Sequence, residues 1–334
     1  MSLRSRLALL LGLSLCVAVL GLAERWQRQR ESSGRVRVVT DPPGLKYVLG
    51  GTIQEGRGWV EGRLPDPPME GQRTLVCIGD SLTFGVSVPA PETWAGRVAD
   101  GVGDPRLKLY NFGVVGYDAE QVATLLETRV PPFAPDILVW GAYVNDMVPT
   151  YMLYGADNGD PVFIGTSVPS SAAFLPEPLT LVLLQHSALF RRLQGSVFAK
   201  KVDPAQARTP YPGWYERQLD RIVGWAQARD LPLVVLAMAP HVLANPERCP
   251  SLVPDPGFCT VNLASYRYML DQLRRRNVTT VDGLAALQAS GKDSFFLPSS
   301  QDYDHPNAEG HALYAQALLP VFRAHLPSAS AGGY

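Results

Sequence analysis

The chain has 334 residues, with 30 Lys and Arg against 31 Asp and Glu, so its formal net charge is −1. This balance argues against nucleic acid as a partner, because binding to phosphates requires an excess of basic residues. Apolar residues make up 46% of the chain, which is enough for a sizeable core. Four cysteines in so long a chain exclude a disulfide scaffold. Gly and Pro are numerous but follow no repeat period, which excludes collagen.

An uninterrupted apolar run, Leu7–Ala23, lies near the amino terminus and follows Arg4 and Arg6. Its length fits either a secretory signal or a membrane anchor. The small residues at Gly21–Ala23 permit cleavage, whereas Trp26 and the arginines around it are typical of a membrane interface. A buried core helix is the third alternative. In the first two cases we expect export: the chain is anchored and faces outward if the run is retained, and is periplasmic or secreted if it is cleaved.

Two of the four cysteines, Cys249 and Cys259, bracket a loop that is rich in Pro and Gly. A bridge between them would stabilise the fold by about 3 kcal/mol on the chain-entropy model. Two unpaired thiols are the alternative. A zinc site is a weak reading, because no second Cys pair or His pair accompanies them. Cys77 lies within an apolar run and is predicted to be a small core residue.

Secondary-structure patterns change at about residue 73. Residues 24–72 are polar and rich in Gly and Pro, with an alternating run at 35–40, which predicts a linker and a small β extension. From there on, short apolar strands alternate with amphipathic helices. The predicted strands are 74–78, 107–112, 137–140, 233–238 and 278–281. The predicted helices cover 94–102, 122–130, 181–193, 219–226, 266–276 and 307–322. Apart from the helical segment in it, the stretch 147–212 is expected to be irregular.

This alternation predicts an α/β fold, a three-layer α/β/α sandwich around a five-stranded parallel sheet. We divide the chain into parts on this basis. A signal peptide or membrane anchor with its linker covers 1–31, and a Gly/Pro-rich β extension covers 32–72. The main domain covers 73–326 and includes a variable insertion over the cleft at 147–212. A flexible tail covers 327–334.

In such sheets, ligands bind beyond the carboxyl ends of the strands. Ser81 follows the first strand within the segment 79–85 and precedes a helix, where its hydroxyl can be exposed at the helix amino terminus. A helix cap is the alternative role. Gly113 and Gly116 follow the second strand, and the absence of a Cβ lets a backbone N–H approach a ligand closely there. A plain turn is the alternative at this position.

The later strand ends carry an amide, an imidazole and carboxylates. Asn145 follows the third strand and either caps a helix or directs an amide donor into a cleft. Asp302 precedes His305 by three residues, a spacing that can orient the imidazole and stabilise its charged form. A surface histidine is the alternative. Asp304 and His305 alone make no metal site, and neither a Walker loop nor a G-x-S-x-G elbow occurs. We therefore predict no metal and no cofactor.

Together and in this order, these segments resemble the SGNH family, also called GDSL hydrolases. The resemblance covers about residues 73–322. The Gly-Asp-Ser-Leu block at 79–82 and the Asp-x-x-His-Pro-Asn block at 302–307 are its specific motifs, and the Gly and Asn blocks are less specific. The resemblance implies the SGNH, flavodoxin-like version of the α/β/α sandwich.

The resemblance also implies a role for each residue. Ser81 would be the nucleophile, His305 the general base and Asp302 the third member of a triad. The backbone N–H groups of Ser81 and Gly116 and the side-chain amide of Asn145 would form the oxyanion hole. The chemistry agrees, because a serine hydroxyl is a poor nucleophile until a base accepts its proton. Fixed donors aimed at the developing oxyanion are each worth roughly 10²–10³ in rate.

The third block departs from the family pattern. The family commonly has Gly-x-Asn-Asp, whereas three residues separate Gly141 from Asn145 in this chain. The residue type is retained, but the shape of the loop does not follow from the sequence. Nearby, Asp80 is predicted to be a structural hydrogen-bonding group beside the nucleophile. Tyr143 either walls the substrate pocket or packs in the core, and His241, just past the fourth strand, could line the cleft.

We therefore predict a serine ester hydrolase that works through an acyl-enzyme, without metal or nucleotide. One alternative is acyl transfer or deacetylation on cell-envelope glycans, and another is a non-catalytic binding module. The expected partner is a small-molecule, glycan or lipid ester, with membrane contact through the amino-terminal helix. Neither the particular ester nor the oligomeric state follows from the sequence.

Overall fold

A computed structural model describes residues 3–30, 36–37, 66–86, 88–155, 161–166, 179, 182–183, 186–193, 209–253, 256–292 and 302–325. The chain forms two compact units. The first unit contains the described residues within Met1–Val39 and Met152–Lys201. The second contains those within Thr52–Tyr151 and Val202–Tyr334.

The described elements are numbered here in chain order. The strands are β1 (Val36–Arg37), β2 (Arg73–Gly79), β3 (Leu107–Gly113), β4 (Ile137–Ala142), β5 (Thr150–Gly155), β6 (Pro161–Thr166), β7 (Leu233–Ala237) and β8 (Thr279–Asp282). The helices are α1 (Leu3–Arg30), α2 (Ser81–Phe84), α3 (Trp94–Val102), α4 (Ala119–Thr128), α5 (Ala188–Leu193), α6 (Trp214–Gln227), α7 (Cys249–Leu252), α8 (Pro256–Arg275), α9 (Gly283–Ala289) and α10 (Ala308–His325). Single 3-10 turns cover Ala90–Glu92, Pro131–Phe133, Val144–Met147 and His241–Ala244.

The second unit is built on a five-stranded sheet of order β3-β2-β4-β7-β8, in which all neighbours are parallel. Right-handed crossovers place α3 on one face of this sheet and α4, α6 and α8 on the other. The helix contacts agree, since α3 packs against α10 and α4 packs against α6. The predicted α/β fold with a five-stranded parallel sheet is therefore confirmed.

Burial explains why the strands are nearly continuous apolar runs. In β2, the residues Leu75 to Ile78 have no exposed surface, because helices cover both faces of the sheet. Cys77 lies in this strand and is buried, as expected. Helix α8 begins ten residues before its predicted start. The sequence prediction missed these residues because the first turn contains Pro and Gly, which indicate a loop. A disulfide joins Cys249 to Cys259 and so links α7 to α8.

The first unit contains a three-stranded sheet of order β1-β5-β6. Strand β1 pairs antiparallel with the end of β5, Val36 with Gly155 and Arg37 with Tyr154. The expectation of an irregular stretch at 147–212 was therefore wrong for β5 and β6. Both segments are rich in β-branched and aromatic residues, which favour strands, but neither shows the alternation that marks a half-buried strand.

Helix α1 contacts the start of α5 within the first unit. The carboxylate of Glu24 accepts hydrogen bonds from Ser187 Oγ at 2.8 Å and from the backbone N–H groups of Ala188 and Leu189 at 2.9 Å each. It thereby satisfies donors that a helix amino terminus leaves unpaired. Within the part of the chain that the structure describes, no helix combines the length and hydropathy that crossing a membrane requires. The membrane anchor and the cleaved signal both stay predictions.

Candidate active site

Three glycines lie side by side where β3, β2 and β4 end. Gly79 is in register with Gly113 on one side and with Gly141 on the other. A Cβ at Gly113 would lie 2.2 Å from the backbone nitrogen of Phe84, and one at Gly141 would lie 2.1 Å from Thr83 Oγ1. Because these side chains are absent, helix α2 can sit directly on the ends of the strands.

Hydrogen bonds hold α2 in place at both of its ends. Asp80 caps the helix, and its Oδ1 accepts from the backbone N–H of Leu82 at 2.9 Å. Asn111, in β3, donates from Nδ2 to the backbone oxygen of Thr83 at 2.8 Å. Both of these polar side chains are buried. Ser81, the first residue of α2, is therefore held at a fixed position just beyond the carboxyl end of β2.

The loop before α10 brings an imidazole to this serine. Nε2 of His305 lies 2.7 Å from Oγ of Ser81, and Nδ1 lies 2.6 Å from Oδ2 of Asp302. The other oxygen of Asp302, Oδ1, accepts from the backbone N–H groups of Asp304 and His305 at 3.0 Å each. The three residues predicted as a triad thus form one hydrogen-bonded line, and their catalytic roles stay predictions.

The electrostatics of this line favour a charged imidazole. Partial burial lowers the pKa of His305, but the hydrogen bond and charge of Asp302, with the charges of Asp80 and Asp304, raise it above its usual value. Burial also opposes the charge on Asp302, yet the hydrogen bonds from His305 bring its pKa down to about 2. Asp302 is therefore a carboxylate at neutral pH, and it stabilises the proton that His305 would accept.

Two further carboxyl groups are fully buried beside the line. Burial raises the pKa of Asp80 to about 6, although the hydrogen bond from Leu82, the charge of His305 and the nearby amide of Asn145 lower it. Burial and the charge of Asp80 raise the pKa of Asp146 well above its usual range. Each carboxyl has one oxygen bonded to a backbone N–H, from Leu82 for Asp80 and from Tyr143 for Asp146. Each also has a second oxygen without a hydrogen-bond partner in the described structure.

Gly116 lies in a turn that follows β3. The backbone N–H of Tyr117 donates to the oxygen of Val114 at 3.1 Å, and Gly116 has a φ of 79°, a conformation that favours glycine. The backbone N–H of Val114 donates to the oxygen of Gly79 at 3.0 Å, which ties this turn to the end of β2. Gly116 therefore stands at the same edge of the sheet as Ser81.

The structure resolves the departure from Gly-x-Asn-Asp. Asn145 lies in the 3-10 turn Val144–Met147, close enough to Asp80 to lower its pKa, so it also stands beside Ser81. The residue two before it is Tyr143, at the place of the family's glycine. Tyr143 has φ −130° and ψ 163°, which is extended backbone that any residue adopts. The substitution therefore leaves Asn145 at the end of β4.

Two contacts at the site were missed in the sequence. Tyr143 is buried, and its hydroxyl donates to Oδ1 of Asp304 at 2.7 Å. His241 is buried as well, close enough to Asp304, Asp302 and His305 for each of them to affect its pKa, which burial lowers to about 4. Position at a strand end was the signal for both residues. Across the described ranges, no three His, Cys, Asp or Glu side chains are grouped as metal ligands.

A serine, a histidine and an aspartate in contact at the carboxyl edge of a parallel sheet are the arrangement of an α/β serine hydrolase. The sequence model of the GDSL-like lipase/acylhydrolase family matches residues 77–313. The chain therefore belongs to this family and is a hydrolase of ester bonds. No curated protein sequence matches the chain at a significant level.

Several solved structures are similar to this chain. A lipolytic protein of the G-D-S-L family from Veillonella parvula DSM 2008 is 14% identical over 75% of this chain and 98% of that chain, with a TM-score of 0.43. LAE5, an alpha/beta hydrolase enzyme from the metagenome of Lake Arreo, is 18% identical over 76% and 94%, with a TM-score of 0.45. Axe2, an acetylxylan esterase from Geobacillus stearothermophilus, is 17% identical over 75% and 95%, with a TM-score of 0.45. The family assignment rests on the sequence match alone.

Proposed function

We propose that this chain hydrolyses carboxylic esters through an acyl-enzyme formed on Ser81. The contact between Nε2 of His305 and Oγ of Ser81, at 2.7 Å, carries the proposal. Asp302 bonds the opposite ring nitrogen, so the neutral imidazole carries its proton on Nδ1 and leaves Nε2 free to accept one.

In the first half of the reaction, Oγ of Ser81 attacks the ester carbonyl carbon while its proton passes to Nε2 of His305. The carbonyl oxygen becomes an oxyanion. When the tetrahedral intermediate collapses, the bond to the leaving oxygen breaks, and the alcohol takes the proton from Nε2. Water then repeats these steps on the acyl-serine, releasing the carboxylic acid and restoring the hydroxyl of Ser81.

Three donors are proposed to stabilise the oxyanion: the backbone N–H of Ser81, the backbone N–H of Gly116 and the side-chain amide of Asn145. Their placement supports this role. Ser81 begins helix α2 just beyond β2, whereas Gly116 and Asn145 lie just beyond the ends of β3 and β4, the two strands that flank β2. Donors fixed in advance need no reorganisation when charge develops, and each contributes roughly 10²–10³ in rate.

We further propose that the protein is exported. The disulfide between Cys249 and Cys259 supports this proposal, because such bonds persist in oxidising compartments and are rare in the cytosol. The apolar run Leu7–Ala23 supports it from the sequence. Cell fractionation combined with thiol labelling tests it. Export predicts a membrane or extracytoplasmic fraction in which Cys249 and Cys259 resist alkylation, and cytosolic protein with both thiols reactive would contradict it.

The enzymatic proposal is tested with p-nitrophenyl acetate as the ester. Ser81→Ala is expected to remove nearly all hydrolysis, because no other nucleophile faces His305 in the described site. Ser290→Ala is a matched control, since its hydroxyl donates to the backbone oxygen of Leu287 and accepts from the backbone N–H of Lys292, both at the end of α9. Undiminished hydrolysis by folded Ser81→Ala protein would overturn the proposal.

A further inference from the structure

We propose that Tyr143 is a positioning residue that locks the loop of the general base to the loop of the oxyanion donor. The inference rests on the proposed function, since it assigns Tyr143 a role only if His305 acts on Ser81. It goes beyond the triad and the oxyanion donors, because it concerns a side chain that the Gly-x-Asn-Asp pattern does not contain.

The first observation is the contact itself. Tyr143 is 2% exposed, and its hydroxyl donates to Oδ1 of Asp304 at 2.7 Å, across 161 residues of sequence. A hydrogen bond from a buried hydroxyl to a carboxylate is short and stronger than a neutral one. It is expected to hold the two loops at a fixed separation.

The second observation is what Asp304 is attached to. Asp304 directly precedes His305, and its backbone N–H donates to Oδ1 of Asp302 at 3.0 Å. The same oxygen accepts from the backbone N–H of His305. A shift of Asp304 would therefore move the base and the carboxylate that orients it.

The third observation is what Tyr143 is attached to. The backbone N–H of Tyr143 donates to Oδ2 of the buried Asp146 at 2.9 Å, and the backbone N–H of Asp146 donates to the backbone oxygen of Tyr143 at 3.0 Å. This pair of bonds encloses Asn145, whose side-chain amide lies close enough to Asp80, the residue before Ser81, to lower its pKa. The tyrosine backbone thus fixes the oxyanion loop, while its side chain reaches the base.

The contacts close into a ring around the reacting groups. Going around it, Ser81 hydrogen-bonds His305, Tyr143 hydrogen-bonds Asp304, and Asn145 lies close enough to Asp80 to lower its pKa, with the remaining links made along the chain. His241 lies just past β7, close enough to Asp304, Asp302 and His305 for each of them to affect its pKa. Catalysis requires the base, the nucleophile and the oxyanion donor to stay at fixed distances from one another, and these contacts restrain all three.

The test uses Tyr143→Phe, which removes only the hydroxyl, together with Asp304→Ala and the double variant. Two assays are run on each protein. The first measures the rate at which a fluorophosphonate probe labels Ser81, and the second measures kcat and KM on p-nitrophenyl acetate. We expect Tyr143→Phe to lower both the labelling rate and kcat by about 10- to 100-fold, because misplacement of about 1 Å can have an effect of this size. KM should stay close to its wild-type value.

The double variant shows whether Tyr143 acts through Asp304. If it does, Tyr143→Phe should cause no further loss in the Asp304→Ala background. Asp304→Asn keeps an oxygen that accepts from the tyrosine, and it should restore most of the rate at a pH where His305 is neutral. Tyr110→Phe is the matched control, because this buried tyrosine also donates one hydrogen bond, to the backbone oxygen of Asp66, which belongs to neither of the two loops.

The outcomes separate the two proposals. Wild-type labelling at Ser81, slow labelling of Tyr143→Phe and no extra loss in the double variant support the inference. If folded Tyr143→Phe is labelled at the wild-type rate, the inference is overturned and the proposed function still stands. The same holds if the losses in the two single variants add up in the double variant. Absence of labelling in the folded wild-type protein overturns the proposed function, and the role of Tyr143 with it. If Tyr143→Phe does not fold, failure of Asp304→Asn to exceed Asp304→Ala overturns the inference.

Discussion

Replacing Asp302 by Asn isolates the orientation of the imidazole from the fold of its loop. Oδ1 of Asp302 holds two backbone N–H groups, and Oδ2 accepts from Nδ1 of His305. An asparagine can keep the first pair of bonds with its carbonyl oxygen, but it turns an NH₂ group towards Nδ1. An amide donor there favours the tautomer that carries its proton on Nε2. Such an imidazole cannot accept the proton of Ser81.

The expected loss in kcat is about 10⁴-fold, the effect of a wrongly oriented tautomer in serine hydrolases of unrelated fold. Loss of the Asp302 charge and hydrogen bond also lowers the pKa of His305, which they hold above its usual value. The low-pH limb of the kcat/KM profile should therefore move to lower pH in Asp302→Asn. In the wild type, this limb should lie above pH 6.5, the ordinary histidine value.

The assay is the pH dependence of p-nitrophenyl acetate hydrolysis, with thermal unfolding as the check on the fold. Asp136→Asn is the matched control, because Asp136 also accepts a backbone N–H, from Thr74 at 2.6 Å, but at the amino end of the sheet. It should keep wild-type kcat. Folded Asp302→Asn protein with kcat within about tenfold of the wild type would refute this reasoning, since general-base catalysis is worth at least 10².

Three other perturbations follow from the same structure. Gly113→Ala should lower kcat and destabilise the fold by about 1–3 kcal/mol in urea unfolding, because its Cβ would meet the backbone of Phe84 and push α2 from the strand ends. Asp146→Asn should make thermal stability fall less between pH 5 and pH 8. The raised pKa of Asp146 gives stability that is present at low pH and is lost as pH rises. Replacing Cys249 and Cys259 by Ser should lower the free energy of unfolding by about 3 kcal/mol.

Much of the second unit could be predicted from the sequence. The residues of β2 and β4 form short, continuous apolar runs, because both faces of these strands are buried. Runs of this length indicate buried strands, whereas helices are longer. The order of the strands then brings their carboxyl ends together, and the resemblance to the SGNH family pairs Ser81 with His305 across more than two hundred residues. Their contact depends on topology that local patterns already indicate.

The contacts that could not be predicted depend on exact side-chain reach. Nothing in the sequence distinguishes Tyr143, which bonds Asp304, from a tyrosine that merely packs in the core. The buried pair Asp80 and Asp146 was equally hidden, because burial of a carboxyl follows from helix α2 closing over the strand ends. Strands β5 and β6 were missed for a different reason, since they carry no alternation and belong to a separate sheet, in which β5 pairs with β1 and β6 pairs with β5.

The most direct test of the account is the location of the covalent adduct. Wild-type protein treated with a fluorophosphonate should gain one phosphonyl group, and peptide mass spectrometry should place it on Ser81. His305→Ala protein should label far more slowly, because the hydroxyl then has no base within hydrogen-bond distance. An adduct on another residue, or ester hydrolysis that continues after Ser81 has been fully modified, would contradict the account.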